Sequence, residues 1–385
     1  MIQIKMFPAK NGDSFLIKAG DLPNSYLLID GGFNDTYSKY IKPELENLAS
    51  KSKSLGLVVV SHIDEDHIKG IIKLIEENGS NLDSCIIKIE NIWHNSLRSI
   101  TTYTSNLENL SLVDREIIKD LTTLDYPTSD DDGDISGKQG SSLAKLLAEN
   151  DYIWNFKQGY EPISKDSVST YSLNNEIDIQ ILAPNNEILN LLKTKWEREL
   201  RYKGFTGNIS NSVFDDGFEF LLARDQTIID TELISDIQNL EKAYTPDNSI
   251  TNRASISFIL KAKDKRILFL GDSWAEDIEK SLKDIFKDEK KITFDVIKIS
   301  HHGSRSNTSV SLLELIDAPV YLISTNGQKH GHPDMPVLLE IVKRETSVKR
   351  RIYFSETNIK IEDLKKFEDK FNFEVLNASN NWINL

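Results

Sequence analysis

A short run of apolar, mostly β-branched residues, LGLVVVS at 55–61, is the feature that most constrains the fold of this chain. Continuous apolar strands of this length are typical of parallel sheets that are covered on both faces. The next segment, IKGIIKLIEENG at 68–79, has helical spacing and ends at a glycine. The strand pattern recurs later in the segments IDIQILAP, ASISFILKA, RILFLGD, FDVIKISHHGS and APVYLIST. The alternation of strands and helices predicts an α/β protein.

The two ends of the chain and its polar stretches suggest how the core is extended. The segments MIQIKMF, SFLIKAG and SYLLIDGG read as three strands joined by turns, as in a β-meander. A last helix and strand, MPVLLEIVKRE and RRIYFSE, lead into a polar tail. The stretches near 97–165 and 200–250 are more polar than the rest. We interpret them as insertions on a single core that spans residues 1–385.

Composition narrows the classes of partner and compartment. The 385 residues include 46 Lys plus Arg against 60 Asp plus Glu, which gives a net charge of −14. This balance argues against a general electrostatic grip on nucleic acid or anionic membranes. The single cysteine, Cys85, can form no internal disulfide, and no apolar run approaches the length of a membrane span. A cytoplasmic protein without a membrane partner is therefore expected.

The segment SHIDEDH, which follows the apolar run, concentrates groups that bind metals. His62, Asp64, Asp66 and His67 lie within six consecutive positions where a buried strand meets a turn. Imidazole together with carboxylate suits zinc, manganese or iron. The alternative is a polar turn in which Asp64 or Asp66 caps the following helix.

The remaining histidines favour the metal site. Each lies at or just beyond the C-terminal end of a predicted strand, as does one aspartate of the segment LFLGD. Strand C-termini form the usual ligand crevice of an open α/β sheet, so these residues are expected to share one site. They are His94, Asp272, His301, His302, His330 and His332.

Six motifs occur in the order found in the metallo-β-lactamase fold, namely LLIDGG, SHIDEDH, WHNS, ILFLGD, KISHHGS and GHPD. The chain resembles that family, and the forms LFLGD and HHGS resemble the branch that contains the hydrolase domain of the DNA-uptake protein ComEC. The resemblance implies an αββα sandwich and a metal-dependent hydrolase with two divalent ions. It leaves the substrate open, because the family includes lactamases, thioesterases, lactonases, nucleases and phosphodiesterases.

The resemblance also implies a ligand for each position. One ion would be held by His62 and His94, and the second by Asp66, His67 and one of His301 or His302, with Asp272 bridging the two ions. We favour His302 as the ligand and His301 as its neighbour.

One position departs from the family pattern. The usual motif is HxHxDH, and Asp64 stands where its middle histidine would be. An anionic ligand at this position shifts the preference toward harder ions, so the expected ions are Zn²⁺ or Mn²⁺. Asp30, in LLIDGG, is expected to fix the surrounding loops by hydrogen bonds.

A mechanism follows from two cations that lie close together. They would supply a metal-bound hydroxide that attacks a phosphoryl or acyl centre. Asp66 would orient the attacking water, and His332 would act as a proton donor or as an oxyanion contact. His301 is a further catalytic candidate, although it could serve only to orient a ligand. His330 is expected to be an ordinary loop histidine.

Three weaker features have structural as well as functional interpretations. Residues 128–139 resemble a calcium loop, but an Asp-rich turn is the simpler interpretation. The basic residues of 343–351 could hold a polyanion or form a solvated helix end. Residues 196–203 interleave aromatic and basic side chains, as nucleic-acid grooves do, and an amphipathic helix packed on the core explains them equally well.

Three function classes are left open by the sequence. The first is a phosphodiesterase or nuclease that acts on nucleic acid or a smaller nucleotide. The second is an acyl hydrolase, for instance a lactonase or a thioesterase. The third is a metal-stabilised subunit of a larger complex that binds a protein partner through the insertions.

Overall fold

The structure is a computed structural model that describes residues 1–101, 111–122, 142–156, 159–207, 215–222, 240–329, 331–357 and 359–385. The strands, in chain order, are β1 (Gln3–Met6), β2 (Phe15–Lys18), β3 (Tyr26–Ile29), β4 (Leu55–Val59), β5 (Ile92–Trp93), β6 (Thr170–Asn174), β7 (Ile177–Ala183), β8 (Ser257–Ala262), β9 (Lys265–Phe269), β10 (Ile292–Thr293), β11 (Val296–Lys298), β12 (Ile316–Asp317), β13 (Val320–Ile323), β14 (Arg350–Phe354), β15 (Phe373–Asn377) and β16 (Trp382–Asn384).

The α-helices are α1 (Asn34–Thr36), α2 (Lys42–Ser50), α3 (Glu65–Asn78), α4 (Leu97–Ile100), α5 (Leu112–Thr122), α6 (Leu143–Glu149), α7 (Asn186–Tyr202), α8 (Asp215–Leu222), α9 (Leu240–Ala243), α10 (Ile250–Arg253), α11 (Ala275–Ile285), α12 (Val310–Leu315), α13 (Met335–Lys343) and α14 (Ile359–Lys365). A π-helical turn at Tyr37–Ile41 joins α1 to α2, and 3₁₀ turns occur at Asn81–Asp83 and Ser300–Gly303.

The strands form two large sheets with the same internal plan. The first sheet has the order β16-β1-β2-β3-β4-β5, and the second has the order β15-β14-β13-β11-β9-β8-β7-β6. In each sheet an antiparallel meander leads into parallel strands, from β3 to β5 in the first and from β9 to β15 in the second. All five residues of β4 are buried, as the apolar run predicted.

The two sheets pack face to face around a shared apolar core. Phe15 of the first sheet contacts Phe269 of the second with ring centroids 5.9 Å apart, and Trp93 contacts Phe258 across the same interface at 6.5 Å. Helix α3 covers the outer face of the first sheet, and helices α11 to α13 cover that of the second. Burial of both faces of each sheet confirms the predicted αββα sandwich.

The polar stretches contribute helices that pack beside the sandwich. Helices α4, α5, α7 and α8 meet in a separate apolar cluster that also includes Ile63, directly after His62. Trp196 of α7 is fully buried in this cluster. The amphipathic-helix interpretation of 196–203 is therefore correct for the tryptophan, although Tyr202 is 90% exposed. The suggested calcium loop at 128–139 lies outside the described residues.

The basic segment 343–351 is largely used by the fold itself. Arg350 is fully buried, and its guanidinium donates to Asp317 over 3.1 Å from Nε and 2.9 Å from Nη2. Arg344 donates to the Ile316 carbonyl and to the Tyr321 hydroxyl, both over 2.7 Å. These two arginines hold the second sheet together and are not available to a polyanion. Among the described residues, no helix has the length and apolarity that crossing a bilayer requires.

Candidate metal centre

The parallel strands of both sheets deliver their C-terminal residues to one edge of the sandwich. His62 follows β4, and Asp66 and His67 lie in the first turn of α3. Asp272 follows β9, and the pair His301 and His302 follows β11. Because the two sheets are stacked, residues that are more than 200 positions apart in sequence meet at this edge. The structure brings the side chains of these six residues together, as expected from their positions at strand ends.

One carboxylate oxygen, Oδ2 of Asp272, lies at the centre of the group. The Nε2 atoms of His67, His302, His62 and His301 lie 3.5, 3.7, 3.8 and 3.8 Å from it. These separations exceed those of ordinary hydrogen bonds. Ligand atoms that share an ion at about 2.0–2.2 Å lie roughly 3–4 Å apart. The spacing is therefore that of a coordination shell.

Asp64 and Asp66 face the same centre and do not cap the helix. Asp64 precedes α3 at the N-cap position, but its side chain makes no capping hydrogen bond, and its Oδ2 lies 3.5 Å from His62 Nε2. Asp66 is inside the helix, with its oxygens 3.9 Å from the Nε2 atoms of His67 and His302. The capping alternative for these two carboxylates is therefore wrong.

Asp30 and Ser61 orient two of the imidazoles from behind. Asp30 accepts hydrogen bonds from the backbone nitrogen and the hydroxyl of Ser61, both over 2.7 Å, and its Oδ2 lies 2.9 Å from His67 Nδ1. The Ser61 hydroxyl lies 3.0 Å from His62 Nδ1. With the Nδ1 atoms engaged as donors, the Nε2 lone pairs face the centre. Gly31 allows this approach, since a Cβ there would lie 2.5 Å from a backbone nitrogen of α3.

The adjacent histidines after β11 both turn inward. His301 and His302 have φ angles of 45° and 56°, in the left-handed region that a non-glycine residue adopts only where the surroundings enforce it. Nδ1 of His301 lies 2.8 Å from Oδ1 of Asn307, whose Nδ2 donates to Asp247 over 2.9 Å. This leaves Nε2 of His301 directed at the centre as well. Both members of the pair are thus placed within reach of Asp272.

The structure does not bring His94 into this group, contrary to the ligand role that the resemblance implies. Its Nε2 lies 2.8 Å from Glu219 of α8, and its ring stacks on Trp154 at 6.2 Å. Glu219 also accepts from the backbone of Leu143 and Ala144 at the start of α6. His94 follows β5 and so lies at the same edge of the sandwich as the other histidines. Its different partner comes from α8, which belongs to the polar insertion.

His332 lies behind His301, at the margin of the group. The two ring centroids are 5.2 Å apart in an edge-to-face arrangement, and Nδ1 of His332 lies 3.4 Å from Asp334. Burial lowers the pKa of His332 to about 4, against the opposing effect of Asp334, so the ring is neutral at pH 7. His330 lies outside the described residues.

The charges of the group stabilise one another in the buried site. Burial opposes ionisation of Asp272, but His67, His301 and His302 hold its pKa well below the usual range. Burial also disfavours the charged form of His67, yet Asp272 and other nearby carboxylates raise its pKa well above the ordinary value. Burial likewise raises the pKa of Asp66, but His67, His302 and His62 lower it more, so its net pKa lies below the ordinary value. Divalent cations would take the place of these protons.

Three residues of the site were missed from the sequence. Asn11 donates to Asp66 Oδ2 over 2.6 Å, Asp13 lies 3.3 Å from His302 Nδ1, and Lys298 pairs with Asp13. Asn11 and Asp13 were read as part of a turn between two strands. Lys298 did carry a signal, because a lysine inside the apolar strand FDVIKIS must find a buried partner.

The residues present fit a divalent metal. Nε2 of His62, Nε2 of His67 and Oδ1 of Asp272 are buried and have no hydrogen-bonding partner among the described residues. Three compact groups can be drawn among the described residues, namely His62–His67–Asp272, Asp66–His67–His302 and Asp13–Asp30–His67. They share His67, and one imidazole nitrogen binds only one ion. Mixed imidazole and carboxylate ligands suit Zn²⁺ and Mn²⁺ alike.

Comparisons with known proteins find likeness only among solved structures. No family model matches the chain, and no curated protein matches it. Among solved structures, it is similar to the metallo-beta-lactamase fold protein YhfI from Bacillus subtilis, with 11% sequence identity over 99% of this chain and 98% of that chain and a TM-score of 0.38. A likeness at this level carries no argument about function, and the fold assignment follows from the packed layers themselves.

Proposed function

We propose that the protein is a metal-dependent hydrolase with two divalent ions, Zn²⁺ or Mn²⁺, held between its two sheets. The observation that carries the proposal is the convergence of four imidazole Nε2 atoms on one oxygen of Asp272, each within 3.8 Å. Each ring has a polar atom beside its Nδ1, at 2.8 to 3.3 Å. A preorganised set of this kind serves metal binding better than it serves folding, because burying so many charges is costly.

The ligands divide between the two ions according to their neighbours. We assign His62 and Asp64 to the first ion, Asp66, His67 and His302 to the second, and Asp272 to both. His94 is left out because Glu219 engages its Nε2. The first ion then has three protein ligands, which leaves a coordination position open, as in catalytic sites.

Two divalent ions at such a site lower the pKa of a bound water and polarise the electrophilic centre of a substrate. The protein groups would supply orientation and proton handling. Asn11 fixes Asp66 through its Oδ2, so that the carboxylate can hold the attacking water in line. The neutral ring of His332 would donate a hydrogen bond to the oxygen on which charge develops. His301, between His332 and Asp272, would keep these two groups at a fixed separation.

We further propose that the substrate is a phosphodiester, in nucleic acid or in a smaller nucleotide, as the resemblance to the ComEC branch implies. Three lysines beside the site favour an anionic substrate over a neutral lactone. They are Lys195, Lys329 and Lys360, which lie near acids of the site. Burial lowers the pKa of Lys195 and of Lys360, against the opposing effects of Asp64 and Asp334, and burial raises the pKa of Glu65, against the opposing effect of Lys329. Such local positive charge would steer a phosphoryl group toward the centre despite the net charge of −14.

A substrate panel tests this proposal. Protein reconstituted with Zn²⁺ or Mn²⁺ is offered bis-nitrophenyl phosphate, single-stranded DNA, double-stranded DNA, RNA and a lactone. We expect hydrolysis of at least one phosphodiester, lost in Asp272→Ala and retained in the control Asp288→Ala, which removes an exposed acid. Faster hydrolysis of the lactone than of any phosphodiester would establish an acyl hydrolase instead. Tight metal binding without any hydrolysis would favour a binding subunit.

A further inference from the structure

Lys298 is a buried cation at the back of the candidate centre, and the mechanism proposed above does not use it. Its side chain is 1% exposed, although it lies in the apolar strand β11. The ammonium group forms an ion pair with Asp13, donates to the carbonyl of Gly271 over 3.1 Å, and lies 3.8 Å from Oδ1 of Asp272. Burying an ammonium is costly, so a lysine in this position is retained for its charge.

Asp13 connects this cation to a ligand. One of its oxygens pairs with Lys298, and the other lies 3.3 Å from Nδ1 of His302. Asp13 comes from the turn between β1 and β2, in the other sheet, and its backbone is held by hydrogen bonds with Asp66 and Gly32. Asp13 thus lies behind the imidazole of His302 as Asp30 lies behind that of His67, at 3.3 Å and without a hydrogen bond where Asp30 forms one at 2.9 Å.

The two oxygens of Asp272 consequently have different surroundings. Oδ2 faces four imidazole nitrogens, whereas Oδ1 faces the ammonium of Lys298. A cation held beside Oδ1 favours the orientation in which Oδ2 points toward the metal position. Resting on the proposed function, we propose that Asp13 and Lys298 are positioning residues. Their pair would keep Oδ2 of Asp272 and Nε2 of His302 turned toward the metal position.

The test removes both charges of the pair at once. Replacing one partner would leave a buried charge unpaired, which costs several kcal/mol and can prevent folding. The paired variant Asp13→Asn/Lys298→Gln keeps polar groups in place and leaves no uncompensated charge. The matched control is Lys5→Gln/Glu44→Gln, which neutralises a largely buried lysine–carboxylate pair with a 2.7 Å contact between β1 and α2. Stepwise binding of Zn²⁺ is measured by competition with a chelating dye, and thermal unfolding is followed without metal.

We expect the paired variant to bind the weaker of two ions at least tenfold less tightly, the size typical of losing a group that orients a ligand. The dissociation constant of the more tightly bound ion should change by less than threefold. The control should bind both ions with the affinities of the unmodified protein. A merely structural role would lower the unfolding temperature of both variants and leave the ratio of the two affinities unchanged. That outcome would overturn the inference. A folded paired variant that binds both ions with the same affinities as the unmodified protein would overturn it as well. If the unmodified protein binds no Zn²⁺, the proposed function itself fails.

Discussion

At the scale of residues, the chemistry of the centre is set by what lies behind each imidazole. Ser61, Asp30 and Asn307 engage the Nδ1 atoms of His62, His67 and His301. A histidine whose Nδ1 proton is held by an acceptor presents Nε2 as a lone pair. His94 shows the opposite case, because its Nε2 faces a carboxylate and its buried Nδ1 finds no hydrogen-bonding partner in the part of the chain that the structure describes. The same residue type at a strand end can therefore take a different role.

Substitution of His62 and of His94 separates a metal-binding role from a structural one. His62→Ala should lose one ion, because Nε2 of His62 lies 3.8 Å from Asp272 and 3.5 Å from Asp64. His94→Ala should keep both ions and destabilise the fold by about 1–3 kcal/mol, the cost of a lost buried hydrogen-bonding partner. Metal analysis and denaturant unfolding of both variants check this. Loss of an ion in His94→Ala would restore the ligand role that the resemblance implies.

His332 should matter for rate and not for metal content. His332→Ala removes a neutral ring that packs on His301, whose other side faces Asp272. We expect two ions to remain and kcat to fall by about 10²-fold, the typical effect of one hydrogen bond to developing charge. Phosphodiester turnover and metal content are measured on the same sample. A variant that loses metal together with rate would place His332 among the ligands instead.

How far the sequence predicts the centre depends on where each residue lies. His62, Asp66 and Asp272 were found because strand ends are readable from apolar runs, and parallel strands gather their ends at one edge. Asp13 was missed because the turn between β1 and β2 approaches α3 only through the packing of the first sheet. The pairing of His94 with Glu219 was missed because it depends on an insertion helix that no periodicity places.

At the scale of elements, several boundaries differ from those predicted. Helix α3 begins at Glu65, so the last residues of SHIDEDH lie on its first turn. The polar tail adds β15 to the second sheet and β16 to the first. Both strands pair along an outer edge, β15 with β14 and β16 with β1, and they are only five and three residues long. The segment SCIIKIENIWHNS forms a strand only at Ile92–Trp93.

The pair between Asp317, at the end of β12, and Arg350 of β14 gives a prediction about acid stability. Burial raises the pKa of Asp317, but Arg350, Lys291 and Arg344 lower it more, so the net pKa is far below the usual value. A carboxylate with a depressed folded-state pKa stabilises the fold above its unfolded pKa of about 3.9 and loses this contribution as the pH falls toward the folded value.

Asp317→Asn should therefore destabilise the protein at pH 7 by about 3–5 kcal/mol, because it leaves the buried guanidinium of Arg350 without its counter-charge. The difference from the unmodified protein should shrink below pH 4. Urea unfolding between pH 3 and pH 7 measures this, with Asp288→Asn as an exposed control. A difference that stays constant with pH would show that the pair contributes by packing alone.

At the scale of the whole molecule, the proposed metal ligands come from both sheets. His62, Asp66 and His67 belong to the first sheet and its helix, whereas Asp272 and His302 belong to the second. Bound ions would therefore act as a link across the sandwich, in addition to the apolar core between the sheets. Their binding energy would add to the stability of the whole fold, since the unfolded chain has no such site.

Removal of metal should consequently lower the stability of the entire domain. An ion at 100 times its Kd stabilises the native state by about 2.7 kcal/mol. The unfolding midpoint should rise with free Zn²⁺ or Mn²⁺ and fall with a chelator, and Asp272→Ala should abolish this dependence. Scanning calorimetry at several fixed metal concentrations measures it. A midpoint that is independent of metal in the unmodified protein would mean that no ion links the sheets.

Anomalous diffraction from crystals of the reconstituted protein tests the central claim most directly. Data collected at the zinc and manganese absorption edges locate each ion without reference to activity. We expect two peaks, one bonded to His62 Nε2 and the other to His67 Nε2, both at about 2.0–2.2 Å and both sharing Oδ2 of Asp272. A site without anomalous density, or a single ion bound between His94 and Glu219, would contradict the dinuclear centre proposed here.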